Sequence, residues 1–144
     1  MIERSSHLQE ILRSKISIDS QAKALFAAHA ALEKQAEDVV VVDLRSLSIV
    51  TDFFVICTAG SGRQITALKD HIDAILSRGG YPVWHTEGDA AASPSRGFTH
   101  DPQWVLMDYG DIVVHLMDQQ ARSFYQLEQL WADAPRVPLA PSPR

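Results

Sequence analysis

Two short apolar runs dominate the first half of the chain: VVVVD at 39–43 and DFFVICT at 52–58, each bounded by charge. An unbroken β-branched run of this length is the pattern of a strand covered on both faces. The segment AGSGRQ after the second run reads as a turn, and Ser61 with Gln64 three positions on forms a capping box. Ile65, Leu68, Ile72, Ile75 and Leu76 then recur at helical spacing until Gly79-Gly80 stops the pattern. Strand, helix, strand in this order predicts a mixed α/β sheet with a right-handed crossover. Upstream, the Ala-rich run from Asp19 predicts a helix ending near Gln35, with Leu25, Phe26, Ala28, Ala30 and Leu32 among charges at Lys23, Glu33 and Lys34.

Other segments carry weaker patterns. Leu8, Ile11, Leu12 and Ile16 suggest a weak amphipathic helix in residues 1–18, read as an extension that orders on contact. YPVWHTE at 81–87 predicts a strand, with Pro82 placing it at an edge or a strand start. Residues 88–103, rich in Gly, Ala, Ser and Pro, read as a mobile loop.

The runs WVLMD and DIVVHLM flank Tyr109-Gly110, a two-residue connection suited to a tight hairpin. That register sets Asp108 against Asp111, Leu106 against Val113 and Trp104 against His115, with Val105, Met107, Ile112, Val114 and Leu116 forming an apolar face. Opposed carboxylates repel, so solvent, a neighbouring Arg or a partner's basic group has to compensate. Phe124, Leu127, Leu130 and Trp131 predict one last helix ended by Pro135. The expected organisation is an extension at 1–18, one α/β domain at 19–137 and a flexible tail at 138–144.

Composition narrows the function. With 46% hydrophobic and 22% charged residues, the 144-residue chain is an ordinary globular one. A net charge of −5 disfavours a bare phosphate backbone and suits a basic protein partner, so no direct sequence-specific nucleic-acid binding is expected. No run nears the roughly 18 apolar residues of a membrane span, and the N-terminus lacks a signal-peptide core, so the expected location is the cytoplasm. Cys57, the single cysteine, reads as a buried thiol of a reducing compartment.

Catalytic sets are thin. AGSGR could cradle phosphate, with Asp52, Asp108 and Asp111 on Mg²⁺, but the turn lacks a P-loop lysine and a full dinucleotide fingerprint. A nucleotidyltransferase needs two carboxylates alternating on a strand, whereas Asp70 and Asp73 lie three apart on a helix. The six histidines have no zinc-ligand spacing. Cys57 with His115 is a conceivable nucleophile pair, although the thiol reads as inert core and His115 as a sheet residue bonded to Trp104. No catalytic residue, cofactor or metal is expected. Trp104, Asp108, Tyr109, Asp111, Tyr125, Glu128 and Trp131 instead suggest a partner surface, in which aromatics anchor and carboxylates meet basic groups.

The segments AEDVVVVDLRSLSIVTDFFVICTAGSGRQ, WVLMDYGDIVVH and FYQLEQLWADAPRV, in this order, resemble the ribosomal silencing factor (RsfS, or Iojap) family across about residues 22–137. The loop at 88–103 is longer than the family's usual connection, and the first 20 residues lie outside its core. The resemblance implies a nucleotidyltransferase-like α/β fold without that activity, and homodimers in several members. It further implies a cytoplasmic factor that binds the large ribosomal subunit through its universal protein fourteen, blocks joining of the small subunit and lowers translation when nutrients are short. A large-subunit assembly factor and, more remotely, a nucleotidyltransferase-like enzyme are the competing readings.

Overall fold

The computed structural model describes residues 20–88 and 103–139. The readings of the 1–18 extension, of most of the 88–103 loop and of the tail beyond Leu139 lie outside the described residues. Residues 20–33 form the first helix, α1. There follow β1 (Glu37–Asp43), β2 (Phe53–Ala59), α2 (Gly62–Arg78), β3 (His85–Glu87), β4 (Trp104–Asp108), β5 (Ile112–Asp118), α3 (Gln119–Tyr125), α4 (Leu127–Leu130) and β6 (Arg136–Val137).

The strands form one mixed six-stranded sheet in the order β3-β4-β5-β2-β1-β6. β2 and β5 are parallel, while β1/β2, β1/β6, β3/β4 and β4/β5 are antiparallel. The expected strand, helix, strand unit exists, but α2 carries the chain past two intervening positions to edge strand β3. Only His85–Glu87 of the segment 81–87 pairs. Pro82, which cannot donate to a ladder, lies before the strand.

Alternation along the strands sends side chains to two faces. Val41, Phe53, Val55, Cys57, Val105, Met107, Ile112, Val114 and Leu116 share a core with Ala24, Ala27, Ala28 and Ala31 of α1 and Ile65, Leu68, Ile72 and Leu76 of α2. The alanines let α1 approach closely, leaving Phe26 and Leu32 exposed on its far side. A smaller cluster under α3 and α4 holds Val42, Leu44, Ile56, Met117, Ala121, Leu127 and Ala134. Thus the VVVVD run is covered on both faces.

The α2 start follows its sequence signature. Ser61 Oγ accepts from the Gln64 backbone N–H at 3.1 Å, and Gln64 Oε1 accepts from Gly60 N–H at 2.6 Å. Gln64 Nε2 also donates to the Lys34 and Gln35 carbonyls, both at 3.2 Å, joining this turn to the end of α1.

The hairpin differs from its expected register. Asp108 pairs with Val113, Leu106 with His115 and Trp104 with Met117. Tyr109 N–H donates to the Ile112 carbonyl at 3.0 Å, so the two turn residues are Gly110 and Asp111 rather than Tyr109 and Gly110. Gly110 has φ +90°, which suits the first central position of a type II′ turn. Moving the turn by one residue changes every pair but keeps the parity of both strands, so the predicted apolar face survives and Tyr109 extends it.

The last helix also differs: it is two short ones, broken at Gln126, which sits in the left-handed region at φ 48° and ψ 52°. Phe124 and Leu130, expected at helical spacing on one helix, fall on either side of the break and are 73% and 72% exposed. Beyond Pro135 the chain pairs with β1 as β6, a strand too short to leave a period in the sequence.

Candidate partner-binding face

Among the described residues, the sheet face opposite α1 and α2 is only partly roofed by α3 and α4, and an aromatic chain occupies it. Phe124 and Tyr125 lie 5.0 Å apart between ring centroids, Tyr125 and Trp104 4.6 Å, Trp104 and His115 5.7 Å, His115 and Phe54 4.5 Å, and Phe54 and Trp131 5.9 Å. Six rings from β2, β4, β5, α3 and the end of α4 therefore form one contiguous array. Trp104, Phe54 and His115 gather there because alternate residues of neighbouring strands share a face.

Trp104 Nε1 donates to His115 Nδ1 at 3.0 Å, across the diagonal of the register rather than straight across it. An indole N–H can only donate, so this bond fixes Nδ1 as the acceptor and leaves the proton of neutral His115 on Nε2. Nε2 is buried without a hydrogen-bond partner among the described residues. Burial lowers the His115 pKa to about 4, so the ring is neutral at physiological pH.

The polar groups nearby are tied down internally. Arg122 is buried; its Nη1 donates to Thr58 Oγ1 at 2.8 Å and its Nη2 to the Asp38 carbonyl at 2.8 Å. Its Nε and Nη2 donate to Glu128 Oε1 and Oε2 at 2.7 and 3.1 Å. The hydrogen bond from Arg122, reinforced by its charge, holds the Glu128 carboxyl below the usual range.

The seven expected partner residues fall into two groups. Trp104, Tyr125 and Trp131 share the aromatic array, with Glu128 beside them bound to Arg122. The other three sit at the hairpin end. Asp108 Oδ1 accepts from Gly110 N–H at 2.8 Å. Asp111 turns toward α1, where Lys23 Nζ donates to it at 2.7 Å and Ser20 Oγ lies 3.0 Å away. Asp108 and Asp111 do not oppose each other, and the base that meets Asp111 is Lys23 of the same chain rather than a neighbouring Arg or a partner's group. Tyr109 is 1% exposed, its hydroxyl donating to Asp73 Oδ1 at 3.1 Å, so its ring supports the hairpin from within the core. Phe54, His115 and Phe124 join the array without having been singled out as surface residues; Phe54 carried a signal in its place between core neighbours Phe53 and Val55.

Cys57 and His115 point to opposite faces, because His115 pairs with Ile56 and Cys57 with Leu116. Burial pushes the thiol up to about 12. This separates the conceivable nucleophile pair. Asp52 and Asp111 both approach Ser20 Oγ, at 2.9 and 3.0 Å, whereas Asp108 is engaged at its own turn. Among the described residues no three His, Cys, Asp or Glu side chains are grouped to hold a metal ion. None of the described helices is long and apolar enough to cross a membrane.

Comparison with known proteins identifies the family. A model described as "Ribosomal silencing factor during starvation" matches residues 17–144. The chain belongs to this family. It is 34% identical to the ribosomal silencing factor RsfS of Halalkalibacterium halodurans over 85% of this chain and 96% of that protein. Against RsfS of Bacillus subtilis the identity is 38%, over 78% and 87% of the two chains. A crystal structure of a Chromobacterium violaceum protein superimposes with a TM-score of 0.68 at 27% identity, covering 85% of this chain and 92% of that one. The family match begins at residue 17, leaving residues 1–16 outside it.

Proposed function

We propose that this protein is a translational repressor that binds the large ribosomal subunit through its universal protein fourteen and sterically blocks joining of the small subunit. The observation that carries this reading is the open aromatic array on a chain of the silencing-factor family. Six contiguous rings on one face of a well-packed sheet suit recognition of a protein surface, where aromatic side chains concentrate binding energy. Trp104, Tyr125 and Trp131 anchor the complex, joined by Phe54 and Phe124. Asp108 borders this face, and the net charge of −5 favours encounter with a basic ribosomal protein. The action is steric occupation in the cytoplasm under nutrient limitation, with no turnover of substrate.

Sedimentation tests this. Purified protein added to ribosomes should co-migrate with large subunits and shift joined ribosomes toward free subunits, and Trp104→Ala should do neither. Capture of isolated protein fourteen by the parent and not by Trp104→Ala would place the contact. Undiminished capture by folded Trp104→Ala and Trp131→Ala variants would move the contact off this face. Co-migration with precursor particles alone would favour an assembly role.

A further inference from the structure

The Arg122 guanidinium joins three separate pieces of the fold. It reaches the Thr58 hydroxyl on β2, the Asp38 carbonyl on β1 and the Glu128 carboxylate on α4. Asp38 lies in the left-handed region at φ 47°, within the irregular stretch of β1 between Glu37 and Val40, so the carbonyl that Arg122 meets belongs to a bulged strand. Gln126, also left-handed, lies between Arg122 and Glu128 and donates its N–H to the Arg122 carbonyl at 3.2 Å. Phe124 and Tyr125 sit just before this kink; Leu130 and Trp131 lie just after it. A four-residue helix cannot hold its own orientation through backbone bonds alone. Leu127 is its single buried residue, so its placement depends on the ion pair.

We propose that Arg122 is a positioning residue for partner binding. It locks α4 against the sheet so that the rings on both sides of Gln126 are presented as one rigid surface, and Glu128 is its counter-ion rather than a direct contact to the partner. This rests on the reading of the aromatic array as the contact face. A preformed surface spends less binding free energy on ordering side chains and loop. A guanidinium is required because one planar group must serve four acceptor atoms at fixed angles, which an ammonium cannot do.

The test is a double-mutant cycle in the full chain, with isolated large ribosomal subunits as the probe, beside hydrogen exchange in the unbound protein. Arg122→Lys and Glu128→Gln should each weaken binding on the order of tenfold, and the double variant should be no weaker than the worse single one, as for residues acting as one unit. Both should speed amide exchange across 122–131 while exchange in α2 stays as in the parent. A folded Arg122→Lys protein that binds with parental affinity, while Trp104→Ala is weakened, would overturn the positioning role alone. Additive losses would overturn it in favour of a direct Glu128 contact. Parental binding by folded Trp104→Ala and Trp131→Ala would remove the contact face and the positioning role together. Should Arg122→Lys fail to fold, Glu128→Gln carries the same comparison of affinity with exchange.

Discussion

The two faces of the sheet are built from alternate residues of the same strands, yet they solve different problems. The helix-covered face is closed and almost wholly apolar, and α1 and α2 remove it from water. The opposite face combines apolar residues with His115, Trp104 and Arg122 and, apart from His115 Nε2, keeps their polar atoms in fixed bonds beneath partly open rings. Closing the first face drives folding, because apolar area leaves water. Specific polar bonds under the second give it shape while leaving apolar surface exposed. On the proposed reading, stability and recognition are therefore separable on one sheet.

The sharpest way to break this division is a cavity on the closed face. Leu116→Ala should destabilise the protein by about 2–5 kcal/mol, through lost burial and the void left behind. The molecules that remain folded should bind large subunits as the parent does. Chemical denaturation alongside a binding isotherm corrected for folded fraction checks both halves.

Acid should reach the protein through the open face. His115 has a folded pKa of about 4, below its ordinary value of 6.5, so the unfolded chain takes up the proton first as pH falls. Stability is thus fully present above about pH 6.5 and declines toward pH 4, by about 1.4 kcal/mol per pH unit within that window and roughly 3 kcal/mol in all. Glu128, held low by Arg122, adds a loss as pH falls below its ordinary value of 4.5. His115→Asn, which retains an acceptor for the Trp104 indole but does not titrate, should flatten the slope between pH 4 and 6.5. An unchanged slope in denaturation midpoints would assign the acid response elsewhere.

Trp104→Ala should separate the faces from the other side. Truncating an anchor of this kind costs about 2 kcal/mol of binding, near thirtyfold in affinity. Its stability loss should be smaller than that of Leu116→Ala, since the ring is only half-buried. Calorimetric titration into isolated protein fourteen, with thermal unfolding of the same samples, measures the contrast.

The smallest effect expected is at Tyr109. Tyr109→Phe removes the bond to Asp73 and should cost about 1 kcal/mol of stability with no change in affinity. A weakened complex from this substitution would show that Tyr109 takes part in binding after all.

Local pattern in the chain was enough for the mixed α/β class, both faces of VVVVD, the Ser61 cap, the α2 stripe and the buried, unreactive Cys57. Each follows from side-chain period or short-range bonding, which neighbours in sequence decide. The family was legible too, because its motifs retain their order and spacing. The hairpin parity was legible, but its register was not: Gly110 can close either of two turns, and packing Tyr109 over Asp73 selects the one that continues the core stripe. The break at Gln126 was hidden because Phe124, Leu127, Leu130 and Trp131 keep helical spacing across it. Whether Asp111 and Glu128 were free for a partner depended on Lys23 and Arg122, 88 and 6 residues away. Ion pairs of that kind depend on which elements meet in space. Only the tertiary structure brings α1 to the hairpin and folds α3 back over the sheet.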